Sequence, residues 1–164
     1  MGHIIRYHDY NLSSFRLRYY SNYHLWILRF DQRPGVGFFE QFSSFLAKHK
    51  GLSNCKNRMI DLRDLKFINH DDVFCDVVNV SFMKLDANMK YVVLCNTPLE
   101  SAFFYLIKQK ALEHNIAFNM FSTVEAALAY LNIPADPFDI DTQLMAMKKN
   151  RQGYESSLEI GNVI

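Results

Sequence analysis

The chain has 164 residues, 49% of them hydrophobic and 21% charged, with a formal net charge of +1. That length supports one domain with a substantial core, and the near-neutral balance excludes nucleic acid as a default partner, because phosphate binding needs clustered Lys and Arg. No apolar run of about 18 residues and no basic-then-apolar leader is found, so neither a membrane span nor a signal peptide is expected.

The three cysteines, Cys55, Cys75 and Cys95, are odd in number and contain no CxxC pair. They predict neither a disulfide framework nor a zinc site, and they suit a reducing cytoplasm. The unusual figure is 15% aromatic residues, with 14 Phe and 9 Tyr. A Phe-rich core explains most of that excess, and an interface or an apolar ligand would explain the rest.

Residues 1–14 lack periodicity and read as a flexible lead-in or an edge segment. From Phe15 the alternation of Phe15, Leu17 and Tyr19 with Arg16, Arg18 and Tyr20 predicts a half-exposed strand. Ser21-Asn22 is turn chemistry, and His24 to Phe30 (HLWILRF) is a second strand, so the two form an antiparallel hairpin. Asp31 to Gly37 (DQRPGVG) is a loop. Its Gly-x-Gly is no dinucleotide fingerprint, because the third glycine would fall at Glu40.

Phe38, Phe42, Phe45, Leu46 and His49 have helical spacing, with Gly51 as the expected stop. With Phe39 included, the stripe Phe38, Phe39, Phe42 and Phe45 is wide for one buried face. These four are the candidates for an interface or an apolar-ligand wall. Arg58 to Val73 (RMIDLRDLKFINHDDV) then gives a buried strand, an acidic strand end, a turn and a helix start. Ligands and switches of α/β sheets sit at such passages. That helix continues to Phe82.

Tyr91 to Cys95 is a continuous apolar run, expected of a strand covered on both faces. Thr97-Pro98-Leu99-Glu100 is a capping box opening a helix to about His114. Ile116 to Phe121 is a further strand, and Ser122 to Glu125 reads as a second capping box before AALAYL. Residues 134–164 read as a C-terminal tail, weakly ordered or packed on a partner. The element order predicts a mixed α/β sheet over 15–133, mostly parallel in its second half.

At this point the chain resembles a known family. MIDLRDLKFINHDDV is similar to the STAS domain of anti-sigma-factor antagonists, and YVVLCNTPLESAFFYLIKQKALEHNIAFNMFSTVEAALAYLNI is similar to bacterial SpoIIAA-like proteins. The closing-helix residues Phe121, Glu125, Ala126, Ala127, Leu128, Tyr130 and Leu131 carry the second likeness. The resemblance implies a SpoIIAA-like fold with four or five strands, an N-terminal antiparallel hairpin and helices mainly on one face. It further implies no cofactor, no catalytic residues and a regulatory or protein-interaction role. A homodimer is the expected assembly. Binding of an apolar small molecule or lipid, between the sheet and the aromatic helix, is the alternative function.

In that family the helix after the central strand starts at a phosphorylatable Ser. Here the position falls on Asp71, within the regulatory-turn candidates Asn69, His70, Asp71 and Asp72. No Ser or Thr occurs from Leu62 to Val80. Asp71 and Asp72 also simply suit the first turn of a helix, with Asn69 as its cap.

Other chemistries fit less well. A metal triad from His70 and the two aspartates would need Asp31 or Asp61 as well, since helical neighbours do not face one way. A phosphorelay receiver would use Asp61, Thr97 and Asp31. It lacks an adjacent acidic pair, and Phe121-Ser122 stands where a Lys belongs. Cys95 has no basic neighbour to form a thiolate. His24, His49 and His114 lie beside apolar patterns as edge residues.

Overall fold

Every residue of the strand Leu25–Phe30 is buried, although one of them is Arg29. Such a strand needs cover on both faces, and the computed structural model supplies it. The structure describes residues 7–12, 15–30, 37–65 and 85–147, the side chain of Phe39 excepted.

The strands are β1 (Tyr7–Asn11), β2 (Phe15–Tyr20), β3 (Leu25–Phe30), β4 (Asn57–Asp61), β5 (Lys90–Leu94) and β6 (Ala117–Phe121). They form one sheet in simple sequence order, antiparallel from β1 to β3 and parallel from β3 to β6. The helices are α1 (Phe38–Lys48), α2 (Lys50–Ser53), α3 (Pro98–Glu113), α4 (Val124–Leu131) and α5 (Pro137–Ala146). The class is therefore mixed α/β as expected. The sheet has six strands rather than four or five, because Tyr7–Asn11, within the stretch read as lead-in or edge segment, pairs with β2 as an edge strand.

Right-handed crossovers that step one way along a sheet put their helices on one face. Accordingly α1, α2 and α3 share a core with Phe15, Leu17, Trp26, Leu28, Tyr91 and Val93. The opposite face carries Tyr20, Leu25, Ile27, Met59, Val92 and Leu94, and α4 and α5 cover it after the chain leaves edge strand β6. Helices on mainly one face is thus corrected to helices on both. The physical cause lies in the segment expected as tail: Ile140 and Leu144 of α5 are fully buried against the sheet. For the same reason β2 is not half exposed, and Arg18 and Tyr20 on its second face are buried. Residues 148–164 lie outside the described residues.

Local signals account for most boundaries. The capping box of α3 is formed as expected: Thr97 Oγ1 accepts from the Glu100 amide (3.3 Å), and Glu100 Oε2 accepts from the Thr97 amide (3.2 Å). At α4 the cap is Thr123, one residue later than expected, accepting from the Ala126 amide (3.3 Å). Glu125 then stands too early to reciprocate. Helix α1 ends at His49, whose non-helical backbone (φ −118°, ψ 78°) breaks the helix, and Gly51 lies inside α2 rather than stopping α1. The start of α1 needs a glycine, because Gly37 has φ +88°. No helix of the described residues is long and apolar enough to cross a membrane.

Candidate functional site at the carboxyl edge of the sheet

Arg29 and Asp61 close β3 and β4 as direct register partners on the face beneath α4 and α5. Just beyond β4, Arg63 folds back on Asp61. Its Nε donates to Oδ1 (2.9 Å), one terminal nitrogen donates to Oδ2 (3.1 Å), and its backbone amide also donates to Oδ1 (3.2 Å). The same terminal nitrogen donates to Asp141 Oδ1 of α5 (2.8 Å). Arg29 Nε lies 3.9 Å from Asp61 Oδ2. Its two terminal nitrogens donate to the Asp64 carboxylate and the Leu144 carbonyl.

One strand away, Arg18 is forked on Asp9 (2.5 and 2.6 Å) and donates to the Gln143 carbonyl (3.1 Å). The Tyr20 hydroxyl donates to Gln143 Oε1 (3.0 Å). Two arginines thus meet carbonyls in the last turn of α5, where the helix dipole is negative and the Gln143 and Leu144 carbonyls share one backbone donor, the Met147 amide. The cluster's first job is plain: it fastens α5 to the sheet.

The electrostatics follow from burial. Asp61 is 2% exposed, and with both oxygens held by Arg63 it serves as an anchored counter-charge rather than a nucleophile or a metal ligand. Burial works against the charge on Arg63, yet the bonds to Asp61 and then Asp141 outweigh it, and its pKa is raised. The Tyr20 phenol is pushed up to about 12 by burial, with Arg18 opposing. Cys55 is pushed up to about 11, again by burial first. Cys95 is likewise raised by burial and stays a thiol, 3.8 Å from Ser101 Oγ.

Alkaline sensitivity follows from Tyr20 and Cys55. Each binds its proton more tightly when folded, so its contribution is complete below its unfolded pKa, near 9 or 10, and fades as pH rises toward 11 or 12. The urea midpoint is expected to fall steadily above about pH 9, and Tyr20→Phe should flatten that fall. A wild-type midpoint unchanged at pH 10.5 would contradict the burial of both groups.

Of the residues singled out from sequence, Asn69, His70, Asp71 and Asp72 lie outside the described residues, as do Asp31 and the side chain of Phe39. Phe38 and Phe42 are buried between α1 and the sheet, with ring centroids 5.4 Å from Phe15 and, for Phe42, 5.6 Å from Trp26. Phe45 is half buried, 5.4 Å from Tyr10. These three rings fill the space between helix and sheet. His49 caps α1 and its Nδ1 lies 2.9 Å from the Phe45 carbonyl, while His24 and His114 sit at turns. Among the described residues, no group of three or more His, Cys, Asp or Glu is placed to hold a metal ion.

Sequence reasoning centred on Arg58 to Val73 and its candidates Asn69 to Asp72, weighed Asp61 only as a metal or receiver ligand, and missed Arg18, Arg29 and Asp141. A signal was present: Arg29 interrupts the apolar run of HLWILRF, and a buried cation demands an acid nearby. Fold and cluster together define a mixed α/β domain in which α5, the last helix among the described residues, is held at the carboxyl edge by the Arg63–Asp141 pair and by arginine bonds to its carbonyls. No family model, curated protein or solved structure matches the chain.

Proposed function

We propose that the chain is a non-enzymatic regulatory or protein-interaction domain of the STAS-like kind, lacking the phosphorylatable serine and working as a homodimer. One observation carries the reading. Helix α3 buries Phe104, Ile107 and Ala111 inward, yet it leaves Leu99, Tyr105, Leu106 and Leu112 between 47% and 63% exposed. Two pairs spaced by seven residues, Leu99 with Leu106 and Tyr105 with Leu112, form apolar stripes on either side of an outer line of Ala102, Gln109 and Glu113. Large side chains grouped this way mark contact surfaces. The charges at the carboxyl edge support the reading too, since they are consumed in holding α5.

Sedimentation equilibrium tests it. The expected result is a dimer that Leu106→Glu converts to a monomer with an unchanged far-UV spectrum. A wild-type protein that stays monomeric at every accessible concentration would remove the dimer.

A further inference from the structure

At the opposite, amino edge of the parallel strands, three side chains stand in one row across the sheet. Trp26 of β3 is the register partner of Arg58 of β4, and Arg58 is the partner of Tyr91 of β5. All three point to the face of α1 and α2. The guanidinium carbon lies 5.5 Å from the Trp26 ring centroid and 5.5 Å from that of Tyr91, so the cation is flanked by aromatic rings.

Their hydrogen bonds do not close. One terminal nitrogen of Arg58 donates to the Ser53 carbonyl (2.8 Å), and the other donates to the Tyr91 hydroxyl (3.4 Å). Arg58 Nε is sealed from solvent and has no acceptor, and the same is true of Trp26 Nε1 in a residue that is 2% exposed. Tyr91 O accepts from Arg58 and from the Asp86 amide (2.9 Å), and no described residue accepts its own hydrogen. Burial holds that hydrogen on by raising the phenol's pKa. Three donors and no acceptor is an unbalanced set, because a buried donor left unmatched forfeits the hydrogen bond that water would have given it.

Charge is unbalanced in the same sense. Arg58 has no carboxylate partner among the described residues. The nearby Asp86 turns its Oδ1 to the Asn88 amide and side chain (2.8 and 3.0 Å). Lys50, Lys56 and Lys90 add positive charge at this edge. What would complete the row is an acceptor carrying negative charge.

We propose that Trp26, Arg58 and Tyr91 form a binding site for a small oxyanion, a carboxylate or phosphate, free or borne on a larger ligand. The site is independent of the carboxyl-edge cluster and of the α3 surface. Arg58 Nε supplies a charge-assisted hydrogen bond, and the indole and phenol supply two neutral ones. The aromatic rings hold the guanidinium in place and exclude water.

The chain has one tryptophan, so its indole N–H gives a single NMR signal that reports on the site. Titration of the full chain with inorganic phosphate, and separately with acetate, is expected to move that signal downfield and to saturate. Sodium chloride at matched ionic strength should leave it in place. Arg58→Met keeps the aliphatic stem against the rings and should weaken the response by about tenfold or more, the loss of one charge-assisted hydrogen bond. Whichever anion binds more tightly identifies the oxyanion class. An indole signal that follows ionic strength alone, or a response unchanged in a folded Arg58→Met protein, would overturn the proposal.

Discussion

Asp61→Asn is expected to lower the free energy of unfolding, read from urea titration, by about 3–5 kcal/mol. The side chain is fully buried, and Arg63 beside it has a side chain only 10% exposed. An amide keeps the shape of the carboxylate but presents one acceptor oxygen and no charge. Arg63 would lose one tooth of its fork, and Arg29 would lose a buried counter-charge that stands 3.9 Å away. Two buried cations left with the more exposed Asp141 and Asp64 as counter-charges are what make the broken pair costly. The contrast is Asp141→Asn, which removes the other carboxylate bound by Arg63. That aspartate is 42% exposed, so water screens and replaces it, and a loss within about 1 kcal/mol is expected. Equal, small losses for the two variants would show that the cluster is solvated and holds nothing.

The two predictions differ only because of depth, and depth is what the sequence conveyed least well. Period and punctuation carried the strands: YVVLC read as a buried run, and Phe15 to Tyr20 and His24 to Phe30 read as the two halves of a hairpin. Capping chemistry carried the start of α3, where Thr97 and Glu100 satisfy each other's amides as their spacing requires. At α4 the same logic slipped by one residue, because Ser122 and Thr123 are both competent caps and only packing chooses between them. The second face of β2 was misjudged for a longer-range reason. Arg16, Arg18 and Tyr20 look like a solvent-facing set until a helix more than a hundred residues later lies across them. Polar residues that pair across such a distance leave no local period. Arg29 was the one local clue, a cation inside an apolar run. Asn69 to Asp72 and the side chain of Phe39 lie outside the described residues. Phe38 and Phe42 were legible, and they belong to the core.

Helix α5, of which sequence patterning allowed no more than a turn or two around Leu144, Met145 and Met147, should be the one whose loss is felt most. Ile140 and Leu144 are fully buried, one turn apart on α5, against Tyr20, Leu25 and Ile27. Truncating either to Ala is expected to cost about 2–4 kcal/mol, from lost apolar transfer plus the cavity left behind. The pair adjoin, so the double variant will not be a simple sum, but its loss should approach the whole stability of an ordinary domain, about 5–15 kcal/mol. The polar contacts make the effect cooperative. If α5 loosens, Arg18 and Arg29 lose the Gln143 and Leu144 carbonyls at the same moment that the apolar face is wetted. Phe138→Ala on the same helix is the control: the ring is 76% exposed, and its removal should change stability by no more than about 0.5 kcal/mol. Guanidinium unfolding of the full chain separates the cases. Should Ile140→Ala prove as mild as Phe138→Ala, α5 does not cover the sheet, and the arginines beneath it must be satisfied by something else.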